Sequence, residues 1–273
     1  MEITVGHTPD ADDAFMFYGM VSGKVTIDNL KINHVIEDIE SLNRRGVRSE
    51  LDVTAVSAHG YAYTHDYLIL RRGSSFGKGY GPIVIAKRKF DIDELKKIRI
   101  AVPGKMTTAY LLLRMAVGDI NAVEMKFNEI YPAVEKDVVD AGLVIHEAQI
   151  TYDQTKFVNA LDLGLWWDEI SKKLPLPLGI NIAHKRLGND FIRKFDELLK
   201  CSIQYGLSNW EEAIDYAIQY ARGTSRYLIE KFVKMYVNDL TVDMGEKGIK
   251  ALHMLYSIAK RNNLIHGIEV EVI

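Results

Sequence analysis

The chain is predicted to be an α/β protein that ends in a helical region. Short apolar, β-branched runs alternate with helical periodicity through the first two thirds, a βαβα rhythm that implies mostly parallel sheet. The last third keeps the helical period and offers no new strand. Polar residues also recur where a strand hands over to a helix. In open α/β sheets that is where ligands bind.

In order, "EITVGH" reads as the first strand. "DDAFMFYGMVSG" is a helix opening on Asp12 and Asp13, whose carboxylates suit a helix N-terminus. "LKINHVIED" alternates like a half-buried strand, "IESLNRRGVRSE" is a short helix and "LDVTAVS" a further strand, with "AHGYAYTHD" a turn or short helix. "YLILRRG" and "GPIVIAKR" are strands around the glycine-rich "GSSFGKGYG". "IRIAVPG", "VEMKFNE" and "LVIHEAQ" are strands, separated by the helices "MTTAYLLLRMAVG" and "IYPAVEKDVVDAG". Helical periodicity then covers Phe191–Tyr205, Asn209–Arg222, Ser225–Tyr236 and Val242–Arg261, with a capping-box pattern at Ser208 and Glu211. No flexible linker interrupts the chain, so two domains would be joined by tight crossings, near residues 91–98 and 176–186.

Bulk properties narrow the function. The 273 residues fit one large or two modest domains. Net charge is −3, and no basic stripe points to nucleic acid. Cys201 is the single cysteine, so no disulfide framework or cysteine-based metal site is expected. No stretch approaches a membrane span and the first residues lack a signal-peptide pattern, so the expectation is a cytoplasmic protein that binds neither membrane nor nucleic acid.

Asp12 and Asp13 follow the first strand, Ser57 follows "LDVTAV", and Thr107 and Thr108 follow "IAVPG". Hydroxyls and free N–H groups at helix N-termini match a carboxylate or phosphate. Each alone reads as an ordinary cap; three at equivalent points suggest an anion-binding cleft. "DADD" has only part of a calcium-loop pattern and reads better as helix-capping acid. "GSSFGKGYGP" matches neither a P-loop nor a dinucleotide fingerprint and reads as a connection. His146 ends an apolar run. It is either a structural histidine or a general base, since imidazole titrates near neutral pH. Glu147 would alternate to the opposite strand face. Trp166 and Trp167 could wall a site or fill the core, and Tyr216, Tyr220, Tyr227 and Tyr236 could make a homodimer contact or pack between helices.

Six motifs in order, "HTPDADDAFMF", "VSAHGYAY", "RRGSSFGKGYGPIVIA", "IAVPGKMTTAYLLLRM", "GLVIHEAQITY" and "LDLGLWWDEISKKLPLPLG", resemble the 1,4-dihydroxy-6-naphthoate synthase family of the futalosine route to menaquinone. The resemblance spans about residues 3 to 182. It implies a fold similar to type II periplasmic binding proteins, with residues 1–93 and 184–273 in one lobe, 94–183 in the other, and a cleft between them. It implies a lyase that converts cyclic dehypoxanthine futalosine, a small molecule with a carboxylate, without metal or redox cofactor. It puts the base at His146 and substrate contacts at Ser57, Thr107, Thr108, Asp12 and Asp13. Many bacterial members carry Ser-Pro-Cys-Pro-Asn-Asp-Thr-Phe at the first motif, so Asp12 here replaces an asparagine and adds negative charge. A binding protein of the same fold and the related chorismate dehydratase are the alternatives.

Overall fold

The computed structural model describes residues 1–146, 148–220 and 225–273. The chain begins with β1 (Glu2–His7), α1 (Ala11–Val21), β2 (Lys31–Ile36), α2 (Ile39–Val47), β3 (Val53–Ser57), α3 (Ala58–Tyr61), β4 (Tyr67–Ile69) and β5 (Ser75–Gly77). It continues with β6 (Ile83–Ala86), α4 (Ile92–Leu95), β7 (Arg99–Val102), α5 (Thr108–Val117), β8 (Asn121–Glu124), α6 (Phe127–Glu135), β9 (Ala141–Val144), α7 (Ala148–Thr151), β10 (Val158–Asp162) and α8 (Leu163–Ser171). It closes with β11 (Leu176–His184), α9 (Asn189–Ser208), α10 (Trp210–Ile218), α11 (Arg226–Tyr236), α12 (Asp239–Val242) and α13 (Gly245–Arg261).

The strands form two sheets, one per lobe. One has the order β2-β1-β3-β11-β4, with β5 also on β11; the other has the order β10-β6-β9-β7-β8. Each holds a parallel trio, β2-β1-β3 and β8-β7-β9, as the βαβ rhythm predicts. Expected mostly parallel pairing is corrected at β6, β10 and β11, which run antiparallel to their neighbours. Two of these, β6 and β11, are the first strands laid down after each crossing between lobes.

Pairing divides the chain differently from cuts at 93/94 and 183/184. β6 already belongs to the second sheet and β11 to the first, so the crossings lie at 78–82 and 172–175. "IVIA" and "GINIAH" are recognisable strands, but an apolar run does not encode which sheet it joins. At Gly81 the first crossing runs against the start of β11 and α8, where a Cβ would lie 2.7 Å from Leu176 Cδ2 and 3.1 Å from Gly164 Cα. That close approach explains the glycine at Gly81. Lys172 and Lys173 take left-handed backbone and end α8.

α1 is buried at nine of its eleven positions, because it lies between the first sheet and α9, α10 and α11. Its apolar residues therefore surround the helix, and Phe15, Met16 and Phe17 are fully covered. Ser208 is the last residue of α9 and Asn209 precedes α10 without a side-chain cap bond, so the expected capping box does not form. The expected helical end at Arg222 falls outside the described residues. No helix among the described residues is long and apolar enough to cross a membrane.

Candidate active site

The carboxyl ends of both parallel trios face one cleft, with about 720 Å3 of atom-free space that includes open solvent. The expected residues Asp12, Asp13, Ser57, Thr107, Thr108 and His146 all line it. Thr8, Asp10, Asn181, Gln149 and Tyr236 line it as well. Among the described residues, no lysine or arginine lines the cleft.

The first lobe supplies an acidic wall from the β1–α1 junction. Asp13 Oδ2 accepts from the Thr8 N–H at 2.7 Å and from the Thr8 hydroxyl at 2.8 Å. Burial pushes the Asp13 carboxyl up to about 6 against those two bonds; the Asp10 charge adds to the rise and His146 opposes it. Ser75 Oγ lies 3.5 Å from Asp12 Oδ2, at the limit of a hydrogen bond. "DADD" thus forms the start of a helix, and among the described residues no cluster of His, Cys, Asp or Glu is arranged to hold a metal ion.

His146 comes from the second lobe. β9 stops at Val144, so the histidine is carried by the turn that follows, with left-handed φ of 58°. This corrects the expectation that it ends the strand; the expected face of Glu147 lies outside the described residues. The imidazole Nδ1 lies 3.2 Å from Asp10 Oδ2 on the other lobe, and the ring packs edge-on against Phe127. Gln149 secures the turn. Its backbone N–H donates to the His146 carbonyl at 3.2 Å. With its amide oriented to satisfy both atoms, its oxygen accepts from the His146 N–H at 3.2 Å and its NH2 donates to the Gly81 carbonyl at 2.6 Å. The turn is therefore tied to the first crossing.

The hydroxyl residues line the cleft from both lobes: Ser57 ends β3 of the first, and Thr107 and Thr108 open α5 of the second. Thr107 is the N-cap of α5: its Oγ accepts from the Tyr110 N–H at 3.2 Å and donates to the Gly104 carbonyl at 2.8 Å. Thr108 Oγ donates to the Leu178 carbonyl at 2.7 Å and accepts from the His59 N–H at 3.1 Å. Both threonine protons are thus committed inside the protein. Ser57 is different. Its Oγ accepts from Asn43 Nδ2 at 3.2 Å, and its own proton remains available to the cleft. The first N–H groups of α5, at Thr108 and Ala109, have no acceptor within the helix.

Buried Asn43 and Glu40 of α2 tie Ser57 and the loop before α5 together. Asn43 Oδ1 accepts from the Ser57 N–H at 2.8 Å, and Nδ2 also donates to the Met106 carbonyl at 3.3 Å. Glu40 accepts from the Met106 N–H at 3.1 Å, and burial raises its carboxyl. Gly104 has φ of 149°, and a Cβ there would sit 2.4 Å from the Glu40 carboxylate. Only glycine lets this loop rest on that acid.

Among the lining residues that sequence reasoning missed are Asp10, Asn181 and Tyr236. Asp10 looks like a routine cap. Asn181 sits inside β11 and is 1% exposed; its Nδ2 donates to the Gly73 carbonyl at 2.8 Å, while Oδ1 has no partner among the described residues. Tyr236 belongs to α11 and bonds Gln149 at 2.9 Å, so it serves the cleft. Tyr216 and Tyr220 bond each other at 2.9 Å, and Tyr227 is exposed. Trp167 is fully buried and donates to the Leu174 carbonyl, a core role.

Comparisons with known proteins agree with this arrangement. The profile of a family described as menaquinone biosynthesis matches residues 3–261. A 1,4-dihydroxy-6-naphthoate synthase from Thermus thermophilus is 38% identical over 96% of this chain and 95% of its own length. One from Streptomyces coelicolor is 33% identical, over 96% and 94%. A crystal structure of a protein from Archaeoglobus fulgidus superposes with a TM-score of 0.92 at 49% identity, covering 97% of this chain and 98% of that one. The alkanesulfonate-binding protein of Xanthomonas axonopodis, at 14% identity and TM-score 0.71 over 97% and 94%, shares the fold of periplasmic binding proteins. The near-complete matches at both levels make the chain an enzyme of the 1,4-dihydroxy-6-naphthoate synthase family of menaquinone biosynthesis.

Proposed function

We propose that the chain opens cyclic dehypoxanthine futalosine in this cleft, with His146 as general base, giving 1,4-dihydroxy-6-naphthoate and a sugar-derived fragment. The observation that carries the reading is the placement of His146. It lines the cleft, its Nδ1 faces Asp10, and Nε2 has no hydrogen-bond partner among the described residues. An imidazole so placed can take a proton from bound substrate near neutral pH. Removing it starts cleavage, and aromatisation of the ring supplies the thermodynamic pull as the sugar part leaves.

The remaining groups sort by what they can still donate or accept. The substrate carboxylate would meet the Ser57 hydroxyl and the N–H groups of Thr108 and Ala109, since among the described residues no lysine or arginine lines the cleft. Thr107 and Thr108 then act mainly by shaping that N-terminus rather than through their hydroxyl protons. Sugar hydroxyls are donors, and they suit the carboxylates of Asp12 and Asp13 and the Asn181 Oδ1. The reaction class matches a cytoplasmic biosynthetic step.

Incubating the purified chain separately with cyclic dehypoxanthine futalosine and with chorismate, and following products by liquid chromatography and mass spectrometry, tests the reading. 1,4-dihydroxy-6-naphthoate from the first alone is expected. Turnover of chorismate alone would move the chain to the dehydratase, and binding without product would make it a binding protein.

A further inference from the structure

We propose that Asp10 is a positioning residue for His146, reaching across the cleft to hold the Nδ1 proton so that Nε2 is the basic nitrogen. This rests on His146 being the base. Asp10 precedes α1 at the N-cap position, where an aspartate ordinarily accepts from an amide of the first turn. Here it makes no side-chain cap bond. Asp13 takes the neighbouring Thr8 N–H and hydroxyl instead. The Asp10 carboxylate, with a side chain only 4% exposed, lies with Oδ2 3.2 Å from His146 Nδ1.

A carboxylate only accepts, and a neutral imidazole carries one N–H. Their contact therefore selects the tautomer protonated at Nδ1. The rest of the ring's surroundings leave it little freedom. Phe127 meets its edge at a centroid distance of 5.1 Å, and Gln149 bonds the His146 backbone on both sides. After proton transfer, the buried carboxylate faces the new imidazolium. Because Asp10 belongs to the first lobe and His146 to the second, the pair exists only while the lobes stand in this relation. Substrate-induced approach of the lobes would then complete the base as well as exclude water.

The test uses Asp10→Ala, Asp10→Asn and Asp10→Glu, with His146→Gln as reference. At saturating substrate, the alanine and asparagine variants should lose about 10–100-fold in kcat. KM should change less than about three-fold, and glutamate should restore part of the rate. Nitrogen NMR of the imidazole, assigned by the signal missing in His146→Gln, should show the Nδ1–H form in the wild type. In Asp10→Ala it should move toward the Nε2–H form. A merely structural Asp10 would lower the melting temperature and leave the tautomer unchanged, which overturns the proposal. Wild-type kcat in both Asp10→Ala and Asp10→Asn, or a raised KM with unchanged kcat, overturns it too. If Asp10→Ala fails to fold, the isosteric asparagine variant carries the kinetic arm. If His146→Gln itself turns over at the wild-type rate, the base assignment fails, and the NMR result still decides whether Asp10 orients the ring.

Discussion

The two lobes meet at one cleft but contribute to it in different ways. The first lobe offers side chains held by its own core: Asp12 and Asp13 on a helix covered on all sides, Ser57 at the end of a fully buried strand, and Asn181 within another. The second lobe offers its backbone. Its N–H groups at the start of α5 follow a loop that only Gly104 permits, and its histidine stands on a left-handed turn held by Gln149. The first wall is therefore defined by packing and the second by chain geometry. Substitutions should separate them: changes of side-chain chemistry should matter on the first, and changes of backbone freedom on the second.

The largest stability effect is expected at Gly104. Gly104→Val adds a branched side chain at positive φ and against Glu40, and should cost several kcal/mol, with overpacking and strain each worth about 1–3. Thermal denaturation measures it, and a variant as stable as the wild type would show that the loop does not rest on Glu40. Next comes Asn43→Leu. It leaves the buried Ser57 N–H without its acceptor, for about 1–3 kcal/mol, and frees the Ser57 side chain, so KM should rise more than kcat falls. An unchanged KM would detach Ser57 from substrate binding. Thr107→Ala removes a helix cap and should cost about 1 kcal/mol. Thr107→Ser should recover most of it, because the serine keeps the hydroxyl that caps; failure to recover would assign the loss to the methyl group instead.

The smallest effect is a pH dependence carried by the first lobe. Burial lowers His59 and His34 to about 4 from 6.5. The unfolded chain therefore binds protons first as pH falls. Their contribution is present above about 6.5 and is lost as pH drops toward 4. Asp13 acts in the opposite sense. Its carboxyl is raised to about 6 from 3.8, so the folded state takes a proton first between those values and gains stability as pH falls. The histidines should dominate between about pH 7 and 6.5, where the unfolded imidazoles are already gaining protons and folded Asp13 is still mostly ionised. Melting temperature against pH should slope less in His59→Gln than in the wild type over that span; equal slopes would mean that the burial of His59 has no thermodynamic weight.

The contrast between lobes also explains what was legible in the sequence. The α/β rhythm could be read because side-chain period reports helix and strand directly. The residues of the cleft could be read because strand ends face it in this architecture, which brought out Ser57, Thr107 and His146. Lobe membership of β6 and β11 could not, since sheet pairing depends on partners far away in the chain. Asp10 was hidden by its position: an aspartate just before a helix looks like a cap, and only the geometry shows its carboxylate turned to His146. Asn181 was hidden because a polar residue inside an apolar strand gives no sign of what it faces. The hydroxyls of Thr107 and Thr108 show the reverse error. Their types suggest donors, whereas their bonds show that both protons are already committed.

The most direct test of the central claim is a pair of measurements on one His146→Gln protein: binding of cyclic dehypoxanthine futalosine by calorimetry and product formation by mass spectrometry. The account predicts affinity within a few-fold of the wild type and a rate lower by about 10²–10⁴-fold. Near-full turnover, or loss of binding equal to the loss of rate, would contradict it.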